Sequence, residues 1–402
     1  MISLSGIENA RKRLDGIIEK RNFIRSNALT DALGLKIFLK LENVQKTGSF
    51  KIRGAYNFIS KHESELGECG VVTASAGNHA QAVAFAAGQF GIDCDLFMPR
   101  NTPLVKVESC KNLGGNVILS GKNYDEAYET AKKHSQSSGE KFINAFNDYD
   151  VIEGQGTIGL EILDEIEKAD FIVVPVGGGG LISGIASAVK EKKPSVKIIG
   201  VQAREAASAY HSKKQGRIAD VSSPKTIADG IAVKRVGDMT MPIIEKYVDD
   251  IVTVEEEDIA AGVLMFMEKA KMIAEGAGAV PLSAVISERI HNIRGNVVLV
   301  VSGGNIDVNL IERIIHMGLL RAGRLLRFYV DVDDVPGMLS GISGSIGDCE
   351  GNILQISHER TEWGLPVSKT RIDIAVETKG YDHINQIMEC LKENGFKPML
   401  RN

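Results

Sequence analysis

Four consecutive glycines, Gly177, Gly178, Gly179 and Gly180, stand in VVPVGGGGLISG, after an apolar run and before a stretch with helical spacing. Without side chains, successive backbone N–H groups can close around an anion, and the amino terminus of a following helix adds partial positive charge. The segment is a candidate phosphate cradle, with a tight strand-to-helix turn as the competing reading. Ile182 and Ser183 occupy the third-glycine positions of GxGxxG, and GxxxxGK[ST] does not occur, which disfavours a dinucleotide or a nucleoside triphosphate. Lys51 lies in KTGSFKIRGA beside Phe50, after the apolar run LKIFLKLEN. A lysine among apolar neighbours loses hydration, which lowers its pKa from a reference of about 10.4 and frees a nucleophilic amine. A Schiff-base lysine fits that setting, and an ordinary solvated lysine is the alternative.

Two shorter motifs have the same character. Ser75 opens SAGNH where a strand ends and a helix starts, so Ser75 and Asn78 either cap that helix or, with its first amides, hold a substrate carboxylate. Ser302 opens SGGN after the apolar run 296–301, at the strand end where α/β proteins bind ligands, although a plain turn has the same sequence. His79 reads as structural, since no second histidine or carboxylate lies at metal-ligand spacing, and no metal is expected.

These residues need an α/β scaffold to bring them together. Apolar runs at 35–41, 71–75, 95–98, 116–119 and 142–146 predict strands, with helices over 78–90, 103–112 and 124–134 between them. A second series at 171–176, 197–201, 251–254 and 296–301, with a helix over 256–271, predicts another parallel sheet. After a basic helix over 311–327 the pattern changes. A strand at 326–332, a helix at 336–346, strands at 352–360 and 370–377, a helix at 382–393 and a last strand at 397–400 have ferredoxin-like order.

Composition bounds the rest. The 402 residues exceed one ordinary domain, and 44% hydrophobic residues with 42 glycines but one tryptophan suit an aliphatic α/β core. With 47 basic against 52 acidic residues, the net charge of -5 gives no reason to expect nucleic acid or an anionic membrane as partner. Five cysteines without a CxxC pair argue against disulfides, and a charged amino terminus with no long apolar run points to a soluble, cytoplasmic chain.

GSFKIRGA, SAGNHAQ, VGGGGLISG, ADGIAV, EGAGA and VSGGN occur here in the order found in the fold type II pyridoxal phosphate enzymes, and over 7–320 the chain resembles the threonine dehydratases. The tail, with DVPGMLSGISGSIGDCEGNILQI, resembles an ACT regulatory domain. The resemblance implies a large cofactor-binding domain (1–46 and 147–318), a small α/β domain (47–146), a linker (319–324) and an ACT domain (325–402). It implies that Lys51 carries pyridoxal 5'-phosphate, Phe50 packs on its ring and Asn78 hydrogen-bonds the ring hydroxyl. The four glycines and the Leu181 amide would hold the phosphate, Ser302 would face the ring nitrogen, Gly230 would leave room over the ring, and Glu275 would sit near its edge. Ser75, Gly77 and Asn78 would hold the substrate carboxylate, and in the tail Asp334, Gly337, Asn352 and Ile353 would receive an amino-acid effector, isoleucine or valine, in a homo-oligomer, dimer or tetramer.

The implied reaction is that of a carbon–nitrogen lyase, converting L-threonine to 2-oxobutanoate and ammonia and L-serine to pyruvate, with isoleucine biosynthesis or threonine catabolism as its setting. The nearest competitor is serine racemase. In the racemases a serine stands where this chain has Ala76, and acidic metal ligands stand where it has Gln202 and Ser208. A non-catalytic amino-acid sensor is the reading from another class.

Overall fold

Aliphatic, β-branched runs bounded by glycine and polar residues build fourteen strands among the residues that the computed structural model describes, 2–20, 23–361 and 364–401. β1 (Phe23–Arg25) and β2 (Lys36–Leu41) begin one sheet, and β3 (Val71–Ala74), β4 (Cys94–Met98), β5 (Asn116–Leu119) and β6 (Lys141–Phe142) form a second. The chain then returns to the first sheet with β7 (Phe171–Pro175), β8 (Lys197–Ala203), β9 (Asp250–Val254) and β10 (Asn296–Val301). The first sheet has the order β1-β2-β10-β7-β8-β9, parallel except for β1, and the second is parallel with the order β5-β4-β3-β6. Val297, Val298, Leu299, Val300 and Val301 are all fully buried, as expected for a central parallel strand covered by helices on both faces.

Residues Met1–Val308 form one compact unit and Asn309–Asn402 another. In the second, β11 (Leu325–Asp333), β12 (Asn352–Glu359), β13 (Lys369–Glu377) and β14 (Pro398–Leu400) make an antiparallel sheet ordered β12-β13-β11-β14, with the helices Met338–Asp348 and Tyr381–Glu393 in the crossovers. This is the ferredoxin-like arrangement. Leu326, Phe328, Val330 and Val332 point to a common core with Ile342, Ile346, Ile387 and Leu391 from the two helices.

Several local expectations differ from the structure. The strand expected over 142–146 stops at Phe142, because the Asn144 side chain accepts from the N–H groups of Phe146 (3.1 Å) and Asn147 (2.8 Å) and turns the chain out of the ladder. The helix expected over 256–271 is α-helical only over Glu256–Met265, then widens into a π-turn ending at left-handed Lys271. The helix expected over 311–327 spans Val308–Arg321 and ends where Gly323 turns left-handed (φ 64), the Arg324 N–H closing onto the Leu319 carbonyl. That helix groups with the C-terminal unit, so the division by compactness falls at Val308, before the linker expected at 319–324. No helix among the described residues is long and apolar enough to cross a membrane.

Candidate active site

Lys51 is the first residue of the helix Lys51–Lys61, and its approach is fixed to the end of β10 by backbone hydrogen bonds. The Phe50 N–H donates to the Ser302 carbonyl (3.0 Å), Ser49 bridges Gly303, and the Gly304 N–H donates to the Gly48 carbonyl (3.0 Å). Two motifs some 250 residues apart in sequence are thereby one piece of structure. The Lys51 Nζ donates to the Ala145 carbonyl at 2.8 Å and lies 5.1 Å from the Phe50 ring centre. Burial pushes the Lys51 amine down to about 8, against the opposing attraction of the Glu275 carboxylate.

The glycine segment leads from β7 into the helix Gly180–Lys192. A Cβ on Gly178 would lie 2.3 Å from the Phe146 ring, and one on Gly180 would lie 3.0 Å from the Phe146 backbone. Gly179 has φ +95, and a Cβ there would lie 2.7 Å from Thr240 Oγ1. The Gly178 carbonyl accepts from Thr240 Oγ1 (2.7 Å) and from the Gly237 N–H (3.1 Å), which turns the Gly179 N–H of the same planar peptide the opposite way. Among the described residues, nothing accepts from the amides of Gly177, Gly178, Gly179, Gly180 or Leu181, four of which belong to buried residues. Buried N–H groups left without acceptors are costly, so the segment can receive an anion.

Glu275, Asn78 and Gly230 close the other side. Asn78 Nδ2 donates to both oxygens of Glu275 (2.9 and 3.1 Å), and Asn78 Oδ1 accepts from Asn305 Nδ2 (2.8 Å), which also donates to the Thr47 carbonyl (2.8 Å). Burial, with Asp229 nearby, pushes the Glu275 carboxyl up to about 8 despite Asn78, Lys106 and Lys51. A Cβ on Gly230 would lie 3.3 Å from Glu275 Oε1, and one on Gly177 would lie 3.5 Å from the Gly230 carbonyl. Lys51, the glycine segment, Gly230, Glu275, Asn78 and Ser302 are thus linked by contacts into one site.

The helix Asn78–Phe90 begins with no side-chain cap. Ser75 Oγ accepts from the Gly77 N–H (3.2 Å), shaping the turn before it, and open space lies beside Gly77. An uncapped helix start of this kind can receive a carboxylate. His79 is buried and bonded through Nε2 to the Ile143 carbonyl (3.2 Å), and burial pushes it down to about 3, so it stays neutral.

Sequence reasoning missed the Ala145 carbonyl, Phe146, Thr240 and Asn305. The backbone carbonyl has no sequence signal at all, whereas Asn305 could have been suspected as the last residue of SGGN. Asp95, His134 and Glu140 also converge, with their ligand atoms within 4.8 Å, both carboxylates lying close to His134 Nε2 (3.1 and 2.6 Å). Gln202 donates to the Val176 and Ala206 carbonyls (3.1 and 3.2 Å) and accepts from the Tyr210 N–H (2.9 Å), so its side chain is occupied by the fold. In the second unit Asp334 and Gly337 follow β11, while Asn352 and Ile353 begin β12. Asn352 is in register with Glu377, which faces Leu325, at the opposite end of the sheet from Asp333, so one copy of the chain does not bring the four residues together.

The arrangement joins a desolvated amine to an anion cradle, as a phosphate-bearing aldehyde cofactor requires, and comparison with known proteins agrees. Residues 15–303 match the family of the pyridoxal-phosphate dependent enzymes. An L-threonine ammonia-lyase of Thermotoga maritima is 45% identical over 398 residues, 99% of each chain. Among solved structures, a processed threonine deaminase isoform of Solanum lycopersicum superposes with a TM-score of 0.76 at 36% identity, over 79% of this chain and 88% of that one. A maize serine racemase does so with a TM-score of 0.74 at 35% identity, over 80% of this chain and 98% of that one. On the family match over most of its length and the full-length likeness to the Thermotoga enzyme, the chain belongs to the pyridoxal-phosphate-dependent enzymes of fold type II.

Proposed function

We propose that the chain is a threonine ammonia-lyase, removing water from L-threonine and releasing ammonia when water hydrolyses the resulting imine to 2-oxobutanoate, and acting in the same way on L-serine to give pyruvate. The observation that carries this reading is the Lys51 amine, lowered to about 8 by burial and held beside an anion cradle whose amides have no protein acceptor. Pyridoxal phosphate, when bound, supplies an electron sink for charge developing at the substrate Cα. Lys51 would hold it, and the Lys51 amine, kept out of water by burial, would take the Cα proton as general base. Ser302, a neutral hydroxyl, would face the ring nitrogen without an acid to protonate it, which would favour expulsion of the β-hydroxyl. The amides at the start of the helix Asn78–Phe90, with Ser75 and Gly77, orient the substrate carboxylate. Asn78 and Glu275 would hold the ring edge, and Phe50 and Gly230 would line its faces.

The domain assignment belongs to the same proposal: residues 1–46 and 147–318 bind the cofactor, 47–146 form the small domain, and 325–402 act as an ACT domain that receives an amino-acid effector. A cytoplasmic homo-oligomer suits that role. The full-length likeness to the Thermotoga L-threonine ammonia-lyase, tail included, supports it.

The test is an assay of purified protein with L-threonine for 2-oxo acid and ammonia, together with the visible absorbance of the bound cofactor. Lys51→Ala should lose both product and absorbance while inorganic phosphate still binds, because the cradle acts through backbone groups. Turnover at the wild-type rate by Lys51→Ala would overturn the assignment. A protein that binds amino acids without product would be a sensor.

A further inference from the structure

Behind Lys51 lies a cluster of buried charges that none of the chemistry above uses. Arg53 and Glu42 are completely buried, Lys40 is 1% exposed, and the Glu161 side chain is 13% exposed. The Arg53 fork grips Glu42 through Nε (2.7 Å) and Nη2 (2.8 Å), Glu161 through Nη1 (2.7 Å) and Nη2 (2.9 Å), and Thr157 Oγ1 through Nη1 (3.0 Å). All five guanidinium protons therefore have acceptors. Lys40 Nζ, 2.5 Å from Glu161, balances the second carboxylate.

Two cations, Lys51 and Arg53, thus occupy the first turn of one helix, at the positive end of its dipole and largely out of water. Both circumstances are unfavourable. Buried ion clusters contribute little net stability compared with apolar packing, so fixing a geometry accounts better for this one. What it fixes can be read from its partners. Glu42 directly follows β2, its N–H bonded to the Val301 carbonyl, one residue before Ser302. Thr157 and Glu161 lie on the helix Tyr149–Glu165. That helix touches the Lys51 helix backbone to backbone, since a Cβ on Gly154 would lie 2.5 Å from the Arg53 carbonyl. It touches the cradle helix as closely, since a Cβ on Gly184 would lie 2.5 Å from the Gly156 nitrogen.

We propose that Arg53 is a positioning residue for Lys51: locked between Glu42, Glu161 and Thr157, it sets where the first turn of the Lys51 helix stands relative to Ser302 and the glycine cradle. The inference rests on the reading of Lys51 as the cofactor-bearing lysine. Arg53→Lys keeps the charge but loses the two-sided fork, and Glu161→Gln leaves the Glu42 half intact.

The experiment uses the holoenzyme and follows kcat and KM for L-threonine, the pH midpoint of cofactor absorbance, and thermal stability. Both variants should lower kcat roughly 10- to 100-fold, as expected when a reacting group is displaced by a fraction of an ångström to an ångström. KM should change less than about threefold, and the absorbance midpoint should move, since the amine's surroundings have changed. Unchanged kcat and absorbance midpoint in folded variants, with only the melting temperature lowered, would make the cluster structural and overturn the proposal. If Arg53→Lys does not fold, Glu161→Gln alone decides by the same readouts. Borohydride reduction of the wild type followed by peptide mass analysis separates the two levels: an adduct on a residue other than Lys51 overturns the lysine assignment, whatever Arg53 does.

Discussion

The side-chain amide of Asn78 donates to both carboxylate oxygens of Glu275, at 2.9 and 3.1 Å, across 197 residues of sequence. An amide shared so evenly stabilises the ionised carboxylate, yet burial and Asp229 outweigh it and the Glu275 carboxyl is pushed up to about 8. Burial likewise lowers Lys51 to about 8, so the same loss of hydration disfavours charge on the carboxyl and on the amine.

This pairing makes the stability of the cofactor-free protein depend on pH in two opposed steps. Between 4.5 and about 8 the folded protein keeps a proton on Glu275 that the unfolded chain has lost, so this contribution is full at pH 4.5 and falls as pH rises to 8. Between about 8 and 10.5 the unfolded chain holds the Lys51 proton that the folded protein has released, so stability rises with pH across that window. Each slope is at most about 1.4 kcal/mol per pH unit. Denaturant unfolding of wild type and Glu275→Gln across pH measures it, and an equal fall toward pH 8 in the variant would sink the assignment to Glu275.

Gly179 offers a test of the cradle. Its φ of +95 and the 2.7 Å approach of Thr240 Oγ1 leave no room for a side chain, so Gly179→Ala should cost about 1–3 kcal/mol, divided between stability and cofactor affinity. Gly216→Ala is the control, since Gly216 has φ +64 with nothing within 4 Å of its Cβ position. It should lose stability without loss of cofactor binding. Equal effects of the two substitutions on cofactor titration would argue that the cradle is an ordinary turn.

Part of this site was legible because its signal is local. Four glycines between an aliphatic strand and a helix can be recognised without knowing the fold, and the run at 296–301 coincides with β10 because a strand buried on both faces must be apolar throughout. The helix Tyr149–Glu165 was not legible. Gly154, Gly156 and Gly159 weaken its helical signal, although two of them are the reason it can touch both the Lys51 helix and the cradle helix. The Ala145 carbonyl that receives Lys51 was hidden for a different reason: Asn144 ends the strand by accepting from the amides of Phe146 and Asn147, and an asparagine in an apolar run does not announce which it will do. The Arg53 cluster joins residues 40, 42, 53, 157 and 161, whose spacing carries no periodicity.

Ala76, half-buried beside Ser75, is the position proposed to favour elimination over racemisation. Inverting the Cα requires a proton donor on the face opposite Lys51, and a methyl group cannot supply one. Ala76→Ser should raise the D-serine formed per L-serine eliminated, measured by chiral chromatography of the reaction mixture. An unchanged ratio would remove Ala76 from the account of why the chain is read as a lyase in spite of its likeness to the maize serine racemase.

The last prediction concerns the C-terminal unit, whose four proposed effector residues lie at the two ends of one sheet. Asn352 pairs through Glu377 with Leu325, and Asp333 ends the same strand eight residues on, a separation of about 26 Å. β12 is the sheet's edge, exposing Leu354 (57%) and Ile356 (37%). Pairing β12 antiparallel with its copy in a second chain would cover both residues and bring the start of one β12 to the end of the other. At that end Arg360 Nε lies 3.1 Å from Asp334, so Asn352 and Ile353 of one copy would meet the Asp334 and Gly337 loop of its partner. An amino acid bound there would offer an amine to Asp334 and a carboxylate to the amides near left-handed Gly337. Coupling between two such sites is typically about 1–3 kcal/mol, so isoleucine or valine should change the apparent affinity for L-threonine roughly 5- to 150-fold. Leu354→Arg in the full-length chain should reduce the oligomer seen by analytical ultracentrifugation and abolish that response while leaving turnover without effector intact. A chain ending before Leu325 should behave likewise, since a maize serine racemase is covered over 98% of its length by 80% of this chain. A response retained in either variant would put the effector site outside the β12 edge, and no response in the wild type would leave the unit with assembly as its role.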